Sequence, residues 1–138
     1  MSRTIKFRVW DYSQRQMFYV NELVWSSSRL TVNGSLSEET LSQFTGFLDR
    51  NGKEIYEGDV LKFGDGISKE FTRRQGHVVF DYGQFFVTVE AGRFFCSLAA
   101  LAHQKDGDGC EILGNLYEHP ELGDKKPAQA RERLGGET

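Results

Sequence analysis

Apolar and polar positions alternate along much of the chain, which is the pattern of β-strands with one buried face. In residues 4–10 the apolar positions are Ile5, Phe7 and Val9, whereas Trp10 falls on the opposite face with the basic residues. Shorter runs of the same kind, separated by polar clusters, follow at residues 17–20, 22–25 and 29–32. The N-terminal third is therefore predicted to be a β-meander.

The densest β pattern lies in the second half of the chain. Residues 76–82 and 84–90 are rich in Val and Phe and flank Gly83, so they are predicted to form a hairpin. A further strand is predicted at residues 93–96. Residues 97–103 then contain closely spaced Leu and Ala, which predict one short helix.

Composition bounds the organisation of the chain. Its 138 residues, with 38% apolar and 13% aromatic content, suit one domain with its own core, predicted at residues 1–122. Residues 123–138 lose aromatics and gain charge, which predicts a disordered tail. No apolar run approaches a signal sequence or the roughly 20 residues of a membrane span, and Cys96 and Cys110 lack paired spacing. We therefore expect no membrane association, a cytoplasmic location and reduced cysteines.

Charge is distributed unevenly along the chain, whose formal net charge is −3 and whose pI is about 5.6. Residues 34–122 hold eight Lys or Arg against fifteen Asp or Glu, whereas residues 1–33 hold five against two. A duplex-binding domain gathers enough basic residues to neutralise several phosphates. The acidic centre of the chain therefore disfavours strong nonspecific binding to nucleic acid.

Three sets of residues have the chemistry of reaction centres or metal sites, and each has a simpler interpretation. His77 and Asp81 lie four apart on a predicted strand, about 13 Å from each other, which is too far for a base and its orienting carboxylate. Cys96 follows two Phe residues and is better interpreted as a buried apolar residue than as a nucleophile served by His103. Residues 106–109 lack the further ligands of a calcium loop. We expect no enzyme activity, cofactor or metal.

Other residues are candidates for binding a partner. Arg73 and Arg74, placed in a loop between residues 65 and 75, form a possible basic finger for phosphate or carboxylate, or else solubilise that loop. Trp10, on the polar face of its strand, and Trp25, at the end of another, are candidate exposed aromatic anchors. Trp10 is equally compatible with a place on the rim of the core.

The segment 43–63 contains two turn signals and a strand, and it supplies one further candidate site. Asn51-Gly52 and Gly58-Asp59 mark the tight turns, and Val60, Leu61 and Phe63 begin the strand. Tyr56 and Asp59 could line a pocket. Asp59 is better interpreted as an acceptor for backbone N–H groups within its own turn.

This segment, with residues 5–11 and 111–122, resembles the YopX family of small proteins encoded by bacteriophages and prophages. The resemblance spans residues 4–122 and implies a fold and a viral origin but no catalytic residues. It also favours an extended segment near Phe44, whereas Ser37 and the two acids after it predict one or two helical turns over residues 37–44. The order of strands and glycines in residues 55–118 resembles a small SH3-like barrel.

Together these observations predict a mainly β protein with an N-terminal meander, an SH3-like barrel part, one short helix and a flexible tail. Its expected role is that of a phage- or prophage-derived accessory protein that binds a host or phage protein, as a regulator or defence antagonist. A homo-oligomer is expected because short strands leave sheet edges that need cover. The alternative function is a nucleic-acid-binding SH3-like module that uses Arg73, Arg74 and the basic N-terminal strand as contacts and exposed aromatics for stacking.

Overall fold

The computed structural model describes residues 3–64, 73–89, 93–102 and 109–122. Within those residues the chain forms twelve strands, one α-helix and two short 3-10 helices at Glu38–Thr40 and Pro120–Leu122. The strands and the α-helix are β1 (Phe7–Asp11), β2 (Gln16–Tyr19), β3 (Leu23–Trp25), β4 (Leu30–Val32), β5 (Leu36–Ser37), β6 (Leu41–Leu48), β7 (Glu54–Tyr56), β8 (Asp59–Gly64), β9 (Arg73–Asp81), β10 (Gln84–Val89), β11 (Arg93–Ser97), α1 (Leu98–Ala102) and β12 (Glu111–Asn115).

The strands form three antiparallel sheets. The first has the order β2-β1-β6-β7, the second the order β3-β4-β5, and the third the order β11-β10-β9-β8-β12. The third sheet is curled into a half-barrel, so the predicted mainly β class with one short helix is confirmed. It lies within residues 55–118, the segment for which an SH3-like barrel is predicted, and its curl is consistent with that prediction.

The main core lies on the concave side of the half-barrel sheet and is closed by α1. Leu98 and Leu101, one helical turn apart, are buried, whereas Ala99 and Ala100 between them are exposed. This spacing gives α1 one apolar stripe, and burying a Leu side chain contributes roughly 2 kcal/mol. The stripe packs with buried residues of the strands, namely Ile55, Leu61, Phe63, Val78 and Val87, and with Cys110 just before β12.

The turns predicted at Gly52, Gly58 and Gly83 are present, and each of these glycines has a positive φ. Asn33 and Gly34 have φ of 50° and 87° between β4 and β5, and Tyr82 and Gly83 have φ of 49° and 78° between β9 and β10. Two successive left-handed residues give the turn whose twist matches that of paired strands. Both expectations for residues 37–44 are met in part: Ser37 caps the 3-10 helix, and Phe44 lies in the extended β6.

Two expectations about candidate residues are wrong. Arg73 and Arg74 are not in a loop, because their backbone forms the start of β9 and pairs with Gly64 and Phe63 of β8. The alternative that makes Trp10 an exposed anchor is also wrong, because only 8% of the residue is accessible and the ring of Tyr117 stacks on it; the other alternative, a place at the rim of the core, agrees with this burial.

Some sequence predictions fall outside the described residues. They concern the loop at 65–72, the possible calcium loop at 106–108 and the tail at 123–138. Among the helices that the structure describes, none has the length and apolar character needed to cross a membrane.

Candidate functional site

The residues considered for catalysis have separate partners in the structure. Both ring nitrogens of His77 lie 3.2 Å from the hydroxyl of Thr88 on the neighbouring strand β10. Asp81, at the end of β9, accepts a hydrogen bond from the backbone N–H of Tyr82. His103, the other candidate base, lies outside the described residues.

The two cysteines are free thiols in apolar surroundings. Cys110 is buried and Cys96 is half-buried, and burial raises the pKa of each thiol to about 11. A thiolate is the reactive form, and almost none forms near neutral pH at such a pKa. Within the described residues no group of three or more His, Cys, Asp or Glu side chains could hold a metal ion.

A buried ion pair joins the first sheet to the half-barrel sheet. Arg8 on β1 donates through Nη2 to Oδ1 of Asp59 at the start of β8, and Oδ2 of Asp59 accepts from the backbone N–H of Tyr56 at 2.8 Å. The Arg8 guanidinium lies 4.5 Å from the centre of the Tyr56 ring, which gives a cation–π contact. The prediction that Asp59 is an acceptor within its own turn is confirmed.

Burial dominates the electrostatics of this cluster. The Asp59 side chain is 2% exposed and that of Arg8 is 12% exposed. Burial raises the pKa of the Asp59 carboxyl, while the charge of Arg8 and the Tyr56 amide act in the opposite direction. Burial and the neighbouring Glu54 carboxylate raise the pKa of Tyr56 to about 12. Nε of Arg8 is buried without a hydrogen-bond partner among the described residues.

Above this cluster lies a cleft between β1, β2, β7 and β12, with a volume of about 290 Å³. A second depression, of about 530 Å³, adjoins it along β1 and β2 and shares Tyr19 and Glu54 with it. We call the continuous surface the Tyr19 groove. Its lining residues are Ile5, Lys6, Phe7, Arg8, Tyr19, Val20, Lys53, Glu54, Tyr56, Asp59, Ile112, Gly114 and Asn115.

The Tyr19 groove combines exposed apolar groups with nearly balanced charge. Tyr19 is 74% exposed and Ile5 is 60% exposed, and the Tyr19 ring lies 6.4 Å from that of Tyr56, measured between centroids. Lys6 pairs with Glu54 at 2.5 Å, just as Arg8 pairs with Asp59. Lys53 is exposed and forms no ion pair within the described part of the chain.

Of the residues predicted to bind a partner, the structure places one in the Tyr19 groove and the others outside it. Tyr56 lines the Tyr19 groove although it is only 2% exposed. Trp25 is 76% exposed but lies on β3, outside the lining of the groove. Trp10 is covered by Tyr117, whose ring stacks on it at 6.5 Å with an interplanar angle of 21°. For Arg73 and Arg74 the structure describes the backbone in β9, which is also outside the groove.

Sequence reasoning missed Arg8 and Tyr19, which are central to the Tyr19 groove. Arg8 was assigned to the polar face of its strand, and its partner Asp59 lies 51 positions further along the chain. Strand periodicity contains no information about such a pairing. Tyr19 ends a short strand with an exposed ring, and only its position next to Tyr56 marks it.

Comparison with known proteins gives the same family as the motifs do. The family model for YopX protein matches residues 6–123, whereas no curated protein matches the chain. Among solved structures, the crystal structure of protein EF1440 from Enterococcus faecalis is similar, with a TM-score of 0.57 and 26% sequence identity. That match covers 88% of this chain and 99% of EF1440. Because the family model spans most of its length, this chain belongs to the YopX family.

Proposed function

We propose that this YopX protein acts by binding a segment of another protein in the Tyr19 groove, as a phage- or prophage-encoded accessory protein in the bacterial cytoplasm. Its effect would be to regulate or antagonise a host or phage protein. The observation that carries the proposal is the exposed Tyr19 ring, which lies next to a recess whose base is built from buried, mutually bonded side chains.

The base of the groove is organised before any partner arrives. Asp59 is bonded both to Arg8 and to the Tyr56 amide, and Tyr56 also packs against Phe44 with ring centroids 5.6 Å apart. A partner that docks on Tyr19 therefore orders few additional side chains, and the loss of conformational freedom on binding is small. Exposed tyrosines on rigid supports are typical of the residues that contribute most to protein interfaces.

The charges favour a polypeptide over a nucleic acid as the occupant. Two of the cations that line the groove, Lys6 and Arg8, are already paired with carboxylates. A strand of phosphates needs several free cations, and Lys53 alone lines the groove without an ion pair among the described residues. The chemistry fits an extended segment with an apolar side chain against Tyr19 and a carboxylate near Lys53.

A pull-down from induced host lysate, with and without nuclease, tests the proposal. The bait proteins are the wild type, Tyr19→Ala and the control Tyr82→Asn, which removes another exposed tyrosine, outside the lining of the groove, and suits its left-handed backbone. We expect one protein to survive nuclease and, once purified, to bind Tyr19→Ala about thirtyfold more weakly than the wild type.

Other results would contradict the proposal in distinct ways. A partner lost on nuclease treatment would support the nucleic-acid module instead. A partner that binds Tyr19→Ala as tightly as the wild type would show that the Tyr19 groove is not the binding site. Recovery of the bait alone would leave no role for a protein partner.

A further inference from the structure

The edge strand β3 presents an apolar surface that no other described strand covers. It is the outer strand of the three-stranded sheet, and Val24 and Trp25 are 45% and 76% exposed. Every residue from 21 to 29 is exposed except the half-buried Leu23. Natural edge strands are usually protected by Lys, Pro, a bulge or a covering element. Leu23–Trp25 contains no charge and no Pro, and its pairing with β4 is regular.

The pairing with β4 shows which backbone groups point outward. The N–H of Asn33 donates to the carbonyl of Glu22, and the N–H of Ser26 donates to the carbonyl of Arg29. In an antiparallel pair such bonds recur at every second residue, so Glu22, Val24 and Ser26 direct their backbone groups towards β4. The backbone groups of Leu23 and Trp25 therefore face the open side of the sheet.

We propose that this open side binds a second copy of the chain, with the two β3 strands antiparallel and Val24 on the two-fold axis. Leu23 of each copy then lies opposite Trp25 of the other, and these residues exchange backbone hydrogen bonds across the axis. Leu23 and Trp25 share one face of the strand, so each exposed indole is covered by the other copy's Leu23. The two three-stranded sheets become one sheet of six strands.

The charges around β3 complement each other in this register. Glu22 of one copy lies opposite Ser26 of the other, and Ser26 pairs with Arg29 across the hairpin. All three side chains point to the same face, and Glu22 and the other copy's Arg29 are two strand spacings apart, about 10 Å between Cα atoms. Their long side chains can meet at that distance. No like charges face each other, so the edge is complementary to itself.

The first test places a charge on the two-fold axis. In Val24→Lys the two lysines of a dimer would face each other directly, whereas the side chain remains exposed in the monomer. Ser28→Lys is the control, because it adds the same charge in the turn beyond the pairing. Sedimentation velocity over a range of micromolar concentrations should show a dimer for the wild type and Ser28→Lys, and a monomer for Val24→Lys.

The second test exchanges the charges that meet across the interface. Glu22→Arg and Arg29→Glu should each weaken the dimer roughly tenfold, since two symmetric attractions become repulsions. The double variant Glu22→Arg/Arg29→Glu restores opposite charges and should return the Kd to within a few-fold of the wild type. Circular dichroism of each variant verifies that the fold is unchanged.

A wild-type monomer throughout the concentration range would overturn the proposal. A Val24→Lys dimer as tight as the wild type would overturn it too, because the contact would then lie elsewhere. This inference goes beyond the Tyr19 groove, and the two are separable: a monomeric Val24→Lys that still captures the partner leaves the groove intact.

Discussion

The buried pair of Arg8 and Asp59 makes a quantitative prediction about stability. Both groups are largely removed from water, so a variant lacking one partner leaves the other as an uncompensated buried charge. Breaking such a pair costs roughly 3–5 kcal/mol. We therefore expect Arg8→Met to lower the free energy of unfolding at pH 7 by about 4 kcal/mol, a large share of the 5–15 kcal/mol typical of a small domain.

The loss in Arg8→Met should depend on pH in a direction fixed by burial. Burial already raises the pKa of the Asp59 carboxyl, and removing the guanidinium takes away the charge that opposes this shift. A carboxyl whose pKa is higher in the folded state stabilises the fold below its unfolded pKa of 3.8 and loses that contribution as pH rises through the folded pKa. The variant should therefore lose less stability at pH 4 than at pH 7.

A double-mutant cycle in urea, followed by circular dichroism at both pH values, measures the coupling. Asp59→Asn retains an acceptor for the Tyr56 amide. The loss in free energy of unfolding that it causes therefore comes mainly from the buried Arg8 charge, which no longer has a carboxylate partner. The double variant Arg8→Met/Asp59→Asn removes both charges, together with the unpartnered Nε, and should be more stable than Arg8→Met alone. Single variants that each cost less than about 1 kcal/mol and add without coupling would refute the reasoning.

Two further predictions concern the half-barrel sheet. A Cβ at Gly76 would lie 2.3 Å from the carbonyl oxygen of Thr88 and 2.8 Å from Cγ1 of Val87, so Gly76→Ala should lower the free energy of unfolding in urea by at least about 3 kcal/mol. The control Gly109→Ala, which meets no atom within 4 Å, should stay within about 0.5 kcal/mol of the wild type, and equal effects would contradict the steric argument. Cys96 and Cys110, with thiol pKa values of about 11, should react slowly with a disulfide reagent at pH 8 in the folded protein and rapidly in denaturant, as followed by absorbance. Since a raised thiol pKa favours the fold below the unfolded value of 9.0, stability should fall between pH 9 and 11, and fast reaction of the folded protein at pH 8 would be inconsistent with burial.

Local signals in the sequence predicted local structure. Gly83 marked a hairpin turn, and Gly52 and Gly58 marked tight turns, because a left-handed backbone favours few residue types. The Leu and Ala spacing after Ser97 marked α1. Alternation also identified β1 correctly as a strand. These features depend on residues that are close together in the chain, so the local pattern of residue types predicts them.

The errors concern contacts between distant segments. Alternation placed Trp10 on a polar face, yet the ring of Tyr117, which is 107 residues further along the chain, stacks on it, and only 8% of Trp10 is accessible. Arg73 and Arg74 have no apolar alternation, but pairing with β8 extends β9 through them. The Tyr19 groove depends on the meeting of β1, β7 and β12, and no local pattern specifies that meeting.

The stacking of Trp10 on Tyr117 has a consequence for synthesis of the protein on the ribosome. Trp10 emerges early, but the ring that covers it is added 107 residues later. The hydrogen bonds between the backbone of Trp10 and the side-chain hydroxyl of Thr40 can form long before that, so the N-terminal strands can pair while one side of the indole is still in water. A chain that stops short of residue 117 would therefore expose an apolar ring to chaperones and proteases, whereas a finished chain hides it.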